Sequence, residues 1–223
     1  MIQLPDFSKS FEYENNFYLT SDASRMAKVI AQYELFKMTI DLPGAIVECG
    51  VFKGASLARF AAFRELFMTP FSKKIIGFDV FGQFPATAFD GDKKHRDRFI
   101  NTSGSEGISK DQLVQALEHK GLNENIELVE GDVTKTVPAY VREHPELRIS
   151  FLNMDTDLYE PAVTILEHLY PRIVPGGVIL LDDYTVFAGE TQAVENYFRG
   201  KNVEIRKFPF CQTPCYLVKP NQI

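Results

Sequence analysis

The chain has 223 residues, 45% of them hydrophobic and 24% charged, a balance that supports a folded domain with a full core and is far from that of a disordered chain. Its 24 Lys and Arg against 30 Asp and Glu leave a formal charge of -6, the wrong sign for affinity built on phosphate backbones, so nucleic acid is excluded as a main partner. No apolar run approaches the roughly 20 residues that cross a bilayer, and the polar, acidic N-terminus does not read as an export signal. With Cys49, Cys211 and Cys215 showing no metal-ligand spacing, the expectation is a cytoplasmic protein with reduced thiols and no membrane partner, a single domain over 1–223.

Residues 1–40 are expected to form a helical segment that serves as a lid or as an interface in a homo-oligomer. Within it, 22–38 carries Met26, Val29, Ile30, Tyr33 and Phe36 at a helical period, which predicts a helix near the carboxyl edge of a sheet. Five apolar runs then follow in order: AIVECG, KIIGFD, IELVEGD, RISFLNMD and GVILLDD. Near-continuous Val, Ile, Leu and Phe predict strands buried on both faces of a parallel sheet, with crossover helices between them. Those helices are expected over 55–67, 109–120, 138–143, 160–172 and 190–198. VEIRKFP and CYLVKP, separated by a turn at 211–214, predict a closing antiparallel hairpin. The segment 81–105 is longer than the roughly 12 to 15 residues usual for a structureless connection, which is common in lids.

Every parallel strand ends in or beside an acid: Glu48, Asp79, Asp132, Asp155, and the pair Asp182 and Asp183. In open α/β sheets ligands bind beyond the carboxyl ends of the strands, so these acids are expected to face one crevice. Helix capping is the alternative for each of them taken singly. The turn Glu48-Cys49-Gly50-Val51-Phe52-Lys53-Gly54 is neither the dinucleotide fingerprint nor a P-loop. A glycine turn on an acid-tipped strand suits a ligand with a cation and a ribose, with Asp79 placed for ribose hydroxyls and Asp132 for an adenine amino group. Phe81 and Phe84 are candidates to flank the adenine.

The ordered set VECGVFKGAS, GFDVFGQFP, VEGDVTKTVP, LNMDTDLYEP and GGVILLDDY resembles the macrocin O-methyltransferase family, class I S-adenosylmethionine enzymes that methylate sugar hydroxyls. The likeness runs over 45–184, and D-x-D-L-Y with a later D-D-Y is its most specific part; DVFGQFP departs from the family's usual D-S-F-E-G-L-P. The resemblance implies a Rossmann-like α/β fold with a mostly parallel seven-stranded sheet. It also implies bound S-adenosylmethionine and a small-molecule acceptor, a deoxyhexose carried by a nucleotide or a glycosylated metabolite. Cofactor contacts are expected from Glu48, Gly50, Gly54, Ser56, Asp79, Val80, Asp132, Val133 and Asp155. Mg²⁺ is expected on Asp155, Asp182 and Asp183, with Asp157 as the general base.

The chemistry is consistent with those residue types. A sugar hydroxyl is a poor nucleophile at neutral pH; a hard cation stabilises developing alkoxide charge, and a nearby carboxylate collects the proton. Clustered carboxylates without a cation would repel one another. If extended geometry persists, Asp155 and Asp157 point the same way, whereas Asp182 and Asp183 can act jointly only if the backbone turns. The alternative for Asp157 is an N-cap in a D-x-x-E box with Glu160.

Competing readings are weaker. A nucleophile elbow at Gly54-Ala55-Ser56 lacks its second glycine and a late histidine. A noncatalytic nucleotide binder has no need of a buried acidic cluster. A metal-dependent methyltransferase acting on a catechol-like phenol is the surviving alternative, and it would want an aromatic-walled slot. Lys93, Lys94, His95, Arg96 and Arg98 are read as a solvated run, with a sugar-linked diphosphate as their other use. Asp90 and Asp92 begin like a Ca²⁺ loop but lack its glycine and glutamate.

Overall fold

A computed structural model describes residues 2–221, in which the five acid-tipped runs are strands β1 (Ala45–Cys49), β2 (Ile75–Asp79), β3 (Ile126–Glu130), β4 (Ile149–Met154) and β5 (Ile173–Leu181). They pair in parallel, and the chain closes with β6 (Arg206–Lys207) and β7 (Cys215–Val218), of which β7 runs antiparallel to both of its neighbours, β5 and β6, giving one sheet in the order β3-β2-β1-β4-β5-β7-β6. The order reverses between β1 and β4, so the crevice at their carboxyl ends is where such sheets take ligands.

Alternation along each strand sends side chains to two cores. One holds Val47, Cys49, Phe78, Leu152 and Leu181 under α6 (Val133–Glu143), α7 (Tyr159–His168) and α8 (Ala188–Phe198). The other holds Ile46, Ile75, Phe151 and Leu180 under α2 (Ala23–Lys37), α3 (Ala55–Phe67) and α5 (Lys110–His119). Phe151 meets Phe60 edge-on at 5.0 Å and Phe36 at 6.1 Å, so truncating it to Ala would cost about 3–5 kcal/mol.

Several expectations change. The segment 81–105 is not a loop throughout: it contains α4 (Asp90–Ser103), a helix whose only buried residue is Asp92. Its neck is tied by an antiparallel bridge between Gln83 and Glu106 and by Phe84 N–H donating to Ser105 O at 2.8 Å. α6 starts at Val133, ahead of the expected Pro138, because the Asp132 side chain caps it and the helix tolerates Pro138 in its second turn. The expected helix 160–172 ends at His168 and continues as a 3₁₀ turn. α2 buries Ala27, Ala31, Gln32, Leu35 and Phe36, while Ile30 is 42% exposed, so its inner face is rotated from the one read off the bulky apolar residues. Ahead of it, α1 (Ser10–Thr20) buries no residue. No helix among the described residues is long and apolar enough to cross a membrane.

Candidate functional site

A cleft of about 1410 Å³ opens over the carboxyl edge of the sheet. Its first half is built on β1, β2 and β3. Gly50 has φ +91°, and a Cβ there would lie 1.7 Å from Asp155 O, so only glycine lets the end of β1 pass the end of β4. Asp79 then fixes the turn: its Oδ2 accepts from Val51 N at 2.7 Å and Phe52 N at 3.0 Å, and its Oδ1 from Phe81 N at 2.6 Å. Burial raises the Asp79 carboxyl above its ordinary range, against the opposing pull of these N–H groups. Asp132 is an exposed helix cap on the rim, accepting from Thr134 N at 2.9 Å.

Gly50, Ser56, Asp79, Val80, Asp132, Val133 and Asp155 line the cleft, whereas two expected cofactor contacts do not. Glu48 is wholly buried in the sheet, accepting from Asn153 Nδ2 at 2.8 Å. Burial pushes its carboxyl up to about 8; Ser56 and Asn153 hydrogen bonds oppose that shift, and nearby Asp155 adds to it. Gly54 faces α5, where a Cβ would stand 2.8 Å from Leu113 Cδ1. Phe81 lies in the core, and only Phe84 of the two proposed adenine neighbours reaches the cleft.

The second half gathers acids from β4 and β5. Asp155, Asp157 and Asp183 each place a carboxylate oxygen within 4.8 Å of the other two. The strand geometry expected to carry Asp155 into Asp157 does not persist: Asp157 sits at φ +61°, in the left-handed region. Nor does it cap α7, whose N-cap is Leu158 with no side-chain bond. The backbone does bend after Leu181, bringing Asp182 and Asp183 to the cleft together. Asp182 Oδ2 is held by Lys28 Nζ of α2 at 2.5 Å, and the same ammonium lies 3.5 Å from Asp155 Oδ2. Behind them Glu190, with no exposed surface, accepts from Asp183 N at 3.1 Å.

Burial and then mutual repulsion raise the Asp155, Asp157, Asp183 and Glu190 carboxyls. Lys28 is raised, because Asp155 and Asp182 outweigh the burial that would lower it. Asp182 Oδ1, Asp183 Oδ2 and Glu190 Oε2 are buried with no hydrogen-bond partner. An all-oxygen anionic set with orphaned lone pairs and one nearby ammonium fits a hard divalent cation.

Segment 81–105 forms the far wall. Asp92 of α4 accepts from Tyr159 N at 2.9 Å and from Gly189 N at 2.7 Å. Glu160 answers from α7, accepting from Ala88 N at 2.8 Å and Phe89 N at 3.1 Å. Phe84 and Phe99 pack at 5.1 Å, Phe52 stands 5.3 Å from Phe99, and all three line the cleft. The basic run stands apart from the cleft: Lys93 pairs with Asp90 at 2.6 Å, Arg96 Nε donates to Pro85 O at 2.6 Å, and none of Lys93, Lys94, His95, Arg96 or Arg98 is among the cleft-lining residues.

Lys28, Glu190 and Asp92 are the site residues that sequence reasoning misses. Lys28 and Asp182 are 154 residues apart and Asp92 and Gly189 are 97 apart, so no local spacing signals either pair.

Comparison with known proteins agrees with this architecture. A family model described as Macrocin-O-methyltransferase (TylF) matches residues 21–208. The 8-demethyl-8-(2,3-dimethoxy-alpha-L-rhamnosyl)-tetracenomycin-C 4'-O-methyltransferase of Streptomyces olivaceus is 30% identical over 163 residues, covering 72% of this chain and 59% of that protein. Demethyldecarbamoylnovobiocin O-methyltransferase of Streptomyces niveus is 25% identical over 159 residues, covering 70% and 59%. The chain thus spans about three fifths of the length of these curated relatives. A crystal structure of the calicheamicin methyltransferase CalS11 superposes with a TM-score of 0.75 at 27% identity, covering 97% of this chain and 86% of that one. Its apo form, described as a TDP-rhamnose 3'-O-methyltransferase, gives 0.67 at 28%, covering 94% and 86%. The sheet order and the antiparallel β7 are those of a class I methyltransferase.

Proposed function

The chain belongs to the macrocin O-methyltransferase family, and on that premise we propose that it transfers the methyl group of S-adenosylmethionine to a sugar hydroxyl, with Mg²⁺ held by Asp155, Asp182 and Asp183. The observation that carries this reading is the gathering of acids at the switch point of the sheet beside the glycine turn: Asp155 and Asp183 belong with Asp157 to a trio whose carboxylate oxygens lie within 4.8 Å of one another, and Asp182 stands outside that trio, joined to Asp155 through Lys28. S-Adenosylmethionine supplies a methyl carbon already activated by its sulfonium. Mg²⁺ at the acids supplies charge that favours the ionised acceptor oxygen.

The protein's own residues do the rest. Gly50 and the Asp79-fixed turn shape a close backbone approach on the cofactor side, with Asp79 and Asp132 turned to the cleft. Asp157 takes the acceptor proton at a carboxylate oxygen, and Asp92, by accepting the first N–H of α7, leaves it free of the cap position. Phe52, Phe84 and Phe99 shield the reacting groups from water. Asp182 is the third ligand of the proposed set although Lys28 now faces it, because its Oδ1 is still without a partner.

The test is transfer of isotopically labelled methyl from S-adenosylmethionine to TDP-rhamnose, the acceptor in the calicheamicin enzyme's description, with and without chelator. Label in the sugar that disappears on chelation is expected; label transfer indifferent to chelator would overturn the metal assignment. Asp182→Asn is expected to abolish Mg²⁺ heat in calorimetry. Loss of that heat in Asp157→Asn and its retention in Asp182→Asn would instead assign Asp157 as the third ligand. The aromatic trio specifically favours a second reading, an acceptor with a flat catechol-like ring; methylation of catechol in preference to the sugar would establish it.

A further inference from the structure

The lid helix reaches the acidic half of the cleft through one buried side chain. Asp92 has no exposed surface, yet it belongs to a helix otherwise free of buried residues, and it does not line the cleft. Its two oxygens are divided between two helices. Oδ2 takes the Tyr159 N–H, the first of α7, at 2.9 Å, and Oδ1 takes the Gly189 N–H, the second of α8, at 2.7 Å. Neither helix has a side-chain cap of its own: Leu158 and Phe187 hold those positions and make no such bond. Two free helix ends and their dipoles therefore converge on a single carboxylate.

Both anchored N–H groups stand next to the acids. Tyr159 lies two residues beyond Asp157, whose φ of +61° is a conformation that needs outside support. Gly189 immediately precedes Glu190, which accepts the Asp183 N–H at 3.1 Å. The contact is close enough to dictate residue type: a Cβ on Gly189 would fall 1.9 Å from Asp92 Oδ2. Glu160 secures the lid in the reverse direction through Ala88 N and Phe89 N, so α4 cannot shift without disturbing both attachments.

We propose that Asp92 is a positioning residue that sets Asp157 and Asp183 relative to each other by capping α7 and α8 at once. Its consequence for metal binding rests on the Mg²⁺ reading given above; its consequence for carboxylate placement does not. The lid is thus part of the geometry of the acid cluster as well as a cover over it.

The experiment uses full-length protein labelled with ¹³C at the aspartate carboxyls, with signals assigned through Asp157→Asn and Asp183→Asn. In Asp92→Asn, which keeps size but offers one acceptor oxygen, the Asp157 and Asp183 signals of the metal-free protein are expected to move while those of Asp79 and Asp132 stay. Calorimetry is expected to give S-adenosylhomocysteine affinity within about twofold of wild type and Mg²⁺ affinity lower by roughly 10- to 100-fold, the usual cost of losing a group that orients metal ligands. Gly189→Ala keeps the acid but displaces it, and should reproduce the same signature. Unmoved Asp157 and Asp183 signals overturn the proposal, as does a uniform shift of all four with loss of S-adenosylhomocysteine binding, which would mark Asp92 as general scaffolding. Wild-type protein that takes up no Mg²⁺ refutes the metal reading alone, and the carboxyl signals still decide for Asp92.

Discussion

The two halves of the sheet's carboxyl edge carry the same residue type to different ends. At β2 and β3, Asp79 and Asp132 commit their oxygens to backbone N–H groups of Val51, Phe52, Phe81 and Thr134. At β4 and β5, Asp155, Asp157, Asp182 and Asp183 crowd together with Glu190 against one lysine, and three of the buried oxygens have no partner. An acid supplied with N–H donors is a fixed part of the scaffold. An acid short of donors leaves charge for a ligand to meet. Strand-end position says where a carboxylate lies; the donors around it say what it is free to do.

Asp183→Asn is the sharpest way to break this contrast. It should lower Mg²⁺ affinity by about 100-fold or more, as the loss of a ligand exceeds the loss of its support. It should also raise the urea midpoint of the metal-free protein, because a buried like charge is removed. A variant that binds Mg²⁺ normally would place the acid among the scaffold group. Asp79→Ala should do the opposite, leaving Mg²⁺ binding intact while costing about 3 kcal/mol in urea unfolding, since three backbone donors lose a charged acceptor.

Glu48 lies between the halves and offers a pH test. Its carboxyl is pushed from the ordinary 4.5 up to about 8. Between those values the folded chain keeps a proton that the unfolded chain releases, so this contribution to stability is complete below pH 4.5, falls as pH rises and is gone by about pH 8. Glu48→Gln, neutral throughout, should flatten that part of the decline in thermal melts across the window; parallel profiles would show that the carboxyl is not held protonated. The smallest effect is expected at the rim, where Asp132→Ala should cost about 1 kcal/mol as a lost helix cap and leave Mg²⁺ affinity unchanged.

The fold was legible where continuous apolar sequence marks strands buried on both faces, as in β1, β2 and β4, and α3 stands at the expected 55–67; β3, with Glu127 and Glu130 in its run, is an edge strand only partly buried, and β5 begins at Ile173, ahead of its apolar run. α4 was hidden because DGDKKHRDR reads as solvated charge and the helix is held at its one buried residue, an aspartate. α2 was found, but its bulky residues misled about its inner face, since small Ala27 and Ala31 make the close contacts. In the site, the cleft-lining acids were readable from strand ends. Sequence could not show that Glu48 lies wholly inside the sheet or that Gly54 stands against α5, because a strand-end acid and a turn glycine read the same whether they face a cleft or a core. What no local pattern encodes is pairing across the topology: Lys28 with Asp182, and Asp92 with two helix ends.

The bridge between Gln83 and Glu106 makes the lid a cassette with a closed base. To the sheet it is a single short connection, whatever its length, so residues between those points can be exchanged for another enzyme's without changing the path from β2 to β3. Such an exchange would also replace Phe84 and Phe99, which pack on Phe52 of the glycine turn. One condition travels with any graft: the incoming segment must bring its own acceptor for the Tyr159 and Gly189 amides, and a chimera assembled without it would inherit a new lid over a disordered set of acids.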